Sequence, residues 1–159
     1  MSVTGTKFAD RAVEALGDYI NSNIAAQLRI VETDQSMTAS SLTDPVEVVK
    51  ARLPFDNRSP LLQVYDEGWQ ELAAPRNHVM VVDCTIVLGY VGDANLYNAE
   101  RFCRRYMTAV RQTIMADATL GGNVAAAVIT GGDSAAAIGD DSTTRIIYTM
   151  SVDVHVHSP

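Results

Sequence analysis

The sequence predicts an α+β fold in which two long helices pack on one face of a mostly antiparallel β-sheet. Three observations carry this. Apolar residues recur with a period of 3.6 in two separated segments, 7–31 and 94–118. Two further segments, 77–88 and 145–157, alternate with the period of two that a sheet face requires. The elements follow one another as helix, strands, helix, strands, rather than in strict βα alternation. With 159 residues and 47% hydrophobic content, the chain is expected to form one domain over 1–159 with a single core.

The first helix is expected from Lys7 to about Val31, with Phe8, Ala12, Leu16, Ile20, Ile24, Leu28 and Val31 on one stripe. Thr6 is a suitable amino-terminal cap. Gly17 lies inside the helix, where glycine costs roughly 1 kcal/mol. The stretch 32–60 reads as a long excursion with one short strand around Val46, Val48 and Val49, punctuated by prolines at 45, 54 and 60. A loop of that length is commonly a binding element or a segment that orders on assembly.

Leu61 to Tyr65 reads as a short strand, followed by a polar turn at Asp66-Glu67-Gly68. In the strand Asn77 to Leu88, Val79, Val81, Asp83, Thr85 and Val87 fall on one face. Met80, Val82, Cys84, Ile86 and Leu88 make the other face wholly apolar, and the helices are the simplest cover for it. The second helix is expected over 94–118, with Leu96, Ala99, Phe102 or Cys103, Tyr106, Val110 and Ile114 inward and Gly121-Gly122 ending it. A strand from Asn123 to Thr130 follows, then a loop of small residues from Gly131 to Asp141. The closing strand, Arg145 to His157, turns Ile146, Tyr148, Met150, Val152, Val154 and Val156 inward.

Composition bounds the function. Nothing approaches the roughly 20 uncharged apolar residues of a membrane span, so no membrane partner is expected. The charged spacing of residues 7–18 is not that of a signal peptide, which points to a soluble protein retained where it is made. Nineteen acidic against twelve basic residues give a net charge of −7, which repels nucleic acid. Cys84 and Cys103, embedded in a strand and a helix, read as buried free thiols.

Candidate chemistry is sparse. Asp153, His155 and His157 share one strand face at spacings of about 7 Å, a pattern that could supply metal ligands, but no fourth ligand is indicated and none is assigned. The glycine pairs Gly121-Gly122 and Gly131-Gly132 lack the strand, helix and lysine of a phosphate-cradling loop. The serines have neither a Gly-x-Ser-x-Gly frame nor an assured histidine partner. No catalytic residue and no cofactor is therefore expected. Arg101, Arg104, Arg105 and Arg111 lie opposite the apolar stripe of the second helix, where they form either a solvated face or a contact with acidic residues of another copy.

From Cys103 to His157 the chain runs through a helix, Thr119-Leu120-Gly121-Gly122, and two pairable strands. This order resembles the carboxy-terminal half of the tail terminator (tail completion) proteins of long-tailed bacteriophages. Residues 116–124 look like the family's segment joining helix end to strand start, and the element order is similar over nearly the whole chain. The 32–60 excursion is longer and more proline-marked than the family's minimal pattern.

The resemblance implies a non-enzymatic virion protein of the tail and neck, assembled in the host cytoplasm. It implies a homo-hexameric ring that caps the head-proximal end of the tail tube, stops its polymerisation and docks to the head-tail connector or stopper protein, with DNA only passing through. Six copies at −7 would sum to −42, which suits passage without adhesion. Phe55, Asn57, Arg58, Trp69 and Arg76 are nominated as partner contacts, together with Arg101, Arg104 and Arg105. The alternatives are another neck component, such as a head completion or stopper protein, and a small oligomeric α+β enzyme or ligand-binding protein with its site around Asp83, His155 and His157.

Overall fold

The computed structural model describes residues 3–54, 56–72, 79–92, 95–138 and 143–157. It is an α+β fold of two long helices against a largely antiparallel five-stranded sheet, with strand order β1-β2-β3-β5-β4. Helix α1 spans Val3–Asp34 and carries the predicted stripe, all seven residues of which are buried. It starts before Thr6, which is therefore an interior residue rather than the cap, and ends three residues beyond Val31. Gly17 has a packing reason to be glycine. A Cβ there would lie 2.6 Å from Cγ of Lys50, whose stem crosses the helix so that Nζ reaches Asp18 at 2.7 Å.

Strand β1 is short, Glu47–Val49, and pairs in parallel with β2, Leu61–Leu72. The polar Asp66-Glu67-Gly68 is not a turn. The register against β3, Val79–Gly92, passes from Asp66 opposite Cys84 to Gly68 opposite Asp83, leaving Glu67 as the extra residue of a bulge. A bulge tolerates polar residues and glycine because one residue leaves the ladder while pairing continues on both sides, so turn-forming composition and strand pairing coexist. Met80, Val82, Cys84, Ile86 and Leu88 are all buried beneath the helices, as their alternation requires.

Helix α2, Leu96–Ala116, is capped by Asn95, whose Oδ1 accepts from the Asn98 amide at 3.1 Å. It ends before the glycine pair. Asp117 is already extended, and its carboxylate accepts from the amides of Thr119 (2.9 Å) and Gly121 (3.0 Å) and from the Thr119 hydroxyl (2.6 Å). That competing side-chain acceptor closes the helix early. Gly121 and Gly122, both at positive φ, then serve the turn that leads to β4.

Strand β4 runs Ala126–Ile138, through most of the stretch predicted as loop, and pairs with β5, Thr144–His157, along its length. Backbone pairing makes the strand, and the small exposed side chains have no packing demand to meet at a sheet edge. A bulge between Ile129 and Gly131 accommodates Thr130. At Gly132 a Cβ would come within 2.5 Å of the Thr149 carbonyl oxygen, so the glycine permits the close approach of the two strands. On β5 the predicted inward residues are buried, except Tyr148, which is half-buried.

The 32–60 excursion is tied down at its start. Glu32, 3% exposed, accepts from the amides of Ser40 (2.8 Å) and Leu42 (3.0 Å) and pairs with Arg29 at 3.1 Å. Arg29 also donates to the Leu42 carbonyl, and Leu42 is fully buried. At the other end, Arg52 and Leu53 reach the outer face of the sheet. The Leu53 amide donates to Gln63 Oε1 at 3.0 Å, and the Arg52 guanidinium lies 4.4 Å from the Tyr65 ring centre.

Replacing Glu32 by alanine orphans two amides and removes the nearer of two carboxylates from Arg29, which keeps Asp44 at 3.5 Å. We expect Glu32→Ala to lower unfolding stability by about 2–3 kcal/mol, measured by urea titration, with Glu32→Gln losing less.

Candidate functional site

The sheet has one face under helices and one face turned away from them. Among the described residues the outer face is covered near the start of β2, where Leu61, Gln63 and Thr85 are buried and Leu53 binds Gln63. Further along, between β2, β3, β5 and β4, lies an open depression of about 670 Å³, lined by Gln70, Val81, Asp83, Thr130, Asp153 and His155 among others. Its rim carries Leu72 (48% exposed), a large apolar side chain that folding leaves in solvent; Trp69 (44% exposed) borders the depression but stands opposite the inward-facing Val82. Val128, opposite Asp153 on β4, is similarly exposed.

At the centre of this face Asp83 of β3 stands directly opposite Asp153 of β5. Cross-strand partners hold their Cβ atoms about 5 Å apart, and like charges so placed repel. Neither aspartate has a basic partner among the described residues. Burial, then Asp153, then Glu67 push the Asp83 carboxyl above its ordinary range. His155 sits one cross-strand step away, between Val81 and Ala126.

Asp153, His155 and His157 thus share the face that their spacing predicted, but they are spread along the strand. No group of three His, Cys, Asp or Glu side chains able to hold a metal occurs among the described residues. Cys84 and Cys103 are free and buried, and burial pushes both thiols up to about 12, which keeps them protonated and unreactive at neutral pH.

A second surface lies on α2. Tyr97, Arg101, Arg104, Thr108, Arg111 and Met115 follow at four- and three-residue steps and are all exposed, forming one outward stripe. Tyr97 (66% exposed) and Met115 (59% exposed) stand at its two ends. Arg104 pairs with Glu100 at 3.1 Å, whereas Arg101 and Arg111 have no ion pair among the described residues. Arg105 is half-buried at the edge of the stripe.

The structure therefore groups Arg101 and Arg104 on one surface and Trp69 on another. Arg58 is engaged within the chain, with Asp56 at 2.7 Å and Glu47 at 2.8 Å, and Asn57 is exposed beside it. Arg58 holds the Asp56 carboxyl below its ordinary range. Phe55 and Arg76 lie outside the described residues, as does His78. The confrontation of Asp83 with Asp153 was missed in the sequence. Both were placed on outward strand faces, but nothing in either strand states which residue opposes which.

No protein-family model matches this chain, and no curated protein does. Among solved structures the fold is similar to a chain of the virion of a native gene transfer agent particle, at a TM-score of 0.46 and 12% identity, over 79% of this chain and 91% of that one.

The raised Asp83 carboxyl has a definite sign in stability. The native state keeps its proton to a higher pH than the unfolded chain, so stability falls as pH rises through the carboxylate range. Asp83→Asn is expected to stabilise the fold by about 0.5 kcal/mol at pH 7, a rise of about 1–2 °C in melting temperature, with the gain vanishing near about pH 3. Thermal melts of both proteins at the two pH values check this.

Proposed function

We propose that this protein is a non-enzymatic structural component of a phage-type virion. Copies associate into a hexameric ring that caps the head-proximal end of the tail tube, stops tube growth and presents a surface to the head-tail connector. The observation that carries this reading is the order of elements. A long helix, a mixed strand region, a second helix, the Leu120-Gly121-Gly122 turn and a closing antiparallel pair follow one another, as in the tail terminator proteins that the sequence resembles.

The surfaces agree with a role in assembly. Large apolar side chains and charges of opposite sign are exposed on separate faces, and the depression on the sheet is open and lacks a convergent acid, base and nucleophile among the described residues. Capping then works by geometry. One side of the ring matches the last layer of the tube and the other does not, so the next tube subunit finds no complementary surface. The net charge of −7 per copy favours passage of DNA without adhesion.

The test is the mass of the purified protein in solution together with negative-stain microscopy, with and without isolated tail tubes. Six-fold rings on tube ends are expected. A discrete dimer or trimer that ignores tubes would contradict the reading and favour a small oligomeric enzyme or binding protein, whereas rings that bind the connector and not the tube would identify a different neck component.

A further inference from the structure

We propose that the outer face of the sheet around Asp83 and Asp153 is the docking site for the α2 stripe of a second copy of this chain. The inference rests on the self-association proposed above and names the surfaces that carry it.

Charge is the first argument. The sheet face sets two carboxylates against each other with no basic partner among the described residues, an arrangement that costs free energy in the isolated chain and is relieved by an incoming cation. The α2 stripe supplies cations: Arg101 and Arg111 are exposed and have no ion pair among the described residues. Arginine suits such a contact because its planar fork can bridge two carboxylates.

Apolar complementarity is the second argument. Leu72 and Val128 stand exposed on the face of the aspartates, and Tyr97 and Met115 stand exposed at the two ends of the stripe. The stripe runs about 27 Å at 1.5 Å per residue, long enough to cross all the strands of the depression, which lie about 5 Å apart. Exposed aromatic and methionine side chains framing a charged centre are the composition of a protein interface rather than of a solvated face.

Position is the third argument. The stripe lies on the helix side of the sheet, where Arg111 at its flank also borders β4 and β5, and the aspartates lie on the opposite side of the sheet. One copy therefore offers the two halves of the contact on opposite sides of its body. Such a contact is heterologous: it leaves an unused half on each copy until a ring closes.

Charge exchange tests it. The pair Arg101→Glu with Arg111→Glu, and separately the pair Asp83→Lys with Asp153→Lys, should each weaken self-association by about tenfold or more, read by sedimentation velocity. All four substitutions in one chain, or an equimolar mixture of the two half-variants, should restore it to within about threefold. Far-UV circular dichroism and melting temperature verify that each variant folds. If a reversal does not fold, the neutral forms Arg101→Gln with Arg111→Gln and Asp83→Asn with Asp153→Asn are read for the same loss. A wild-type ring that neither reversal disturbs would overturn this contact and leave the ring reading standing, whereas a wild-type chain that stays monomeric with and without tubes would overturn both.

Discussion

The wholly apolar inner face of β3 is the constraint on which the rest of the structure depends. Met80, Val82, Cys84, Ile86 and Leu88 stand in a row on the central strand of the sheet, and no polar residue interrupts them. Burying such a face contributes roughly 1.5–3 kcal/mol for each large side chain, so leaving it in water would forfeit an amount comparable to a domain's usual margin. Both helices are recruited to cover it. The stripe of α1 and the inward residues of α2 meet β3 and its neighbours β2 and β5 in one continuous core. Residue types elsewhere follow from this demand: Gly17 makes room for Lys50 on the back of α1, and Phe102 of α2 stacks on Tyr90 of β3 at 4.5 Å.

Placing both helices on one side has a consequence for the other. Among the described residues the outer face has no helix of its own, and Arg52 and Leu53 reach over part of it. What remains is a polar sheet surface with an apolar rim, whose central feature is a repulsive pair of aspartates. A chain does not gain stability from that pair in isolation, so its setting makes sense as a surface completed by something outside the chain. The arginine-bearing back of α2 is the half we propose to match it, and it lies on the helix side of the sheet. Arginine on one helix and aspartate on the far side of the sheet, both without ion pairs among the described residues, fit the directional association proposed above.

Much of the fold was legible because side-chain periodicity states burial directly. The α1 stripe, the apolar face of β3 and the inward face of β5 follow from spacing alone, and every one of those positions except Tyr148 is buried. The misses share a different cause. Asp66-Glu67-Gly68 and Gly131-Gly132-Asp133 have the composition of turns, yet both lie within paired strands, because a partner strand satisfies backbone groups whatever the side chains are. Asp117 ended α2 ahead of the glycines through hydrogen bonds of its own carboxylate, a local competition that helical periodicity does not register. For the surfaces, the arginine face was visible as a stripe on one helix. The Asp83 and Asp153 pair was not, since it depends on the register between strands some 70 residues apart in sequence.

The claim that this molecule caps a tube by occupying its last layer is tested most directly by tube growth. Isolated tail tubes are incubated with the purified protein, free tube subunits are then added, and tube lengths are measured by electron microscopy. The account predicts that tubes exposed to the protein keep their starting length while untreated tubes elongate. Elongation of both populations at the same rate, with the protein present in excess over tube ends, would contradict it.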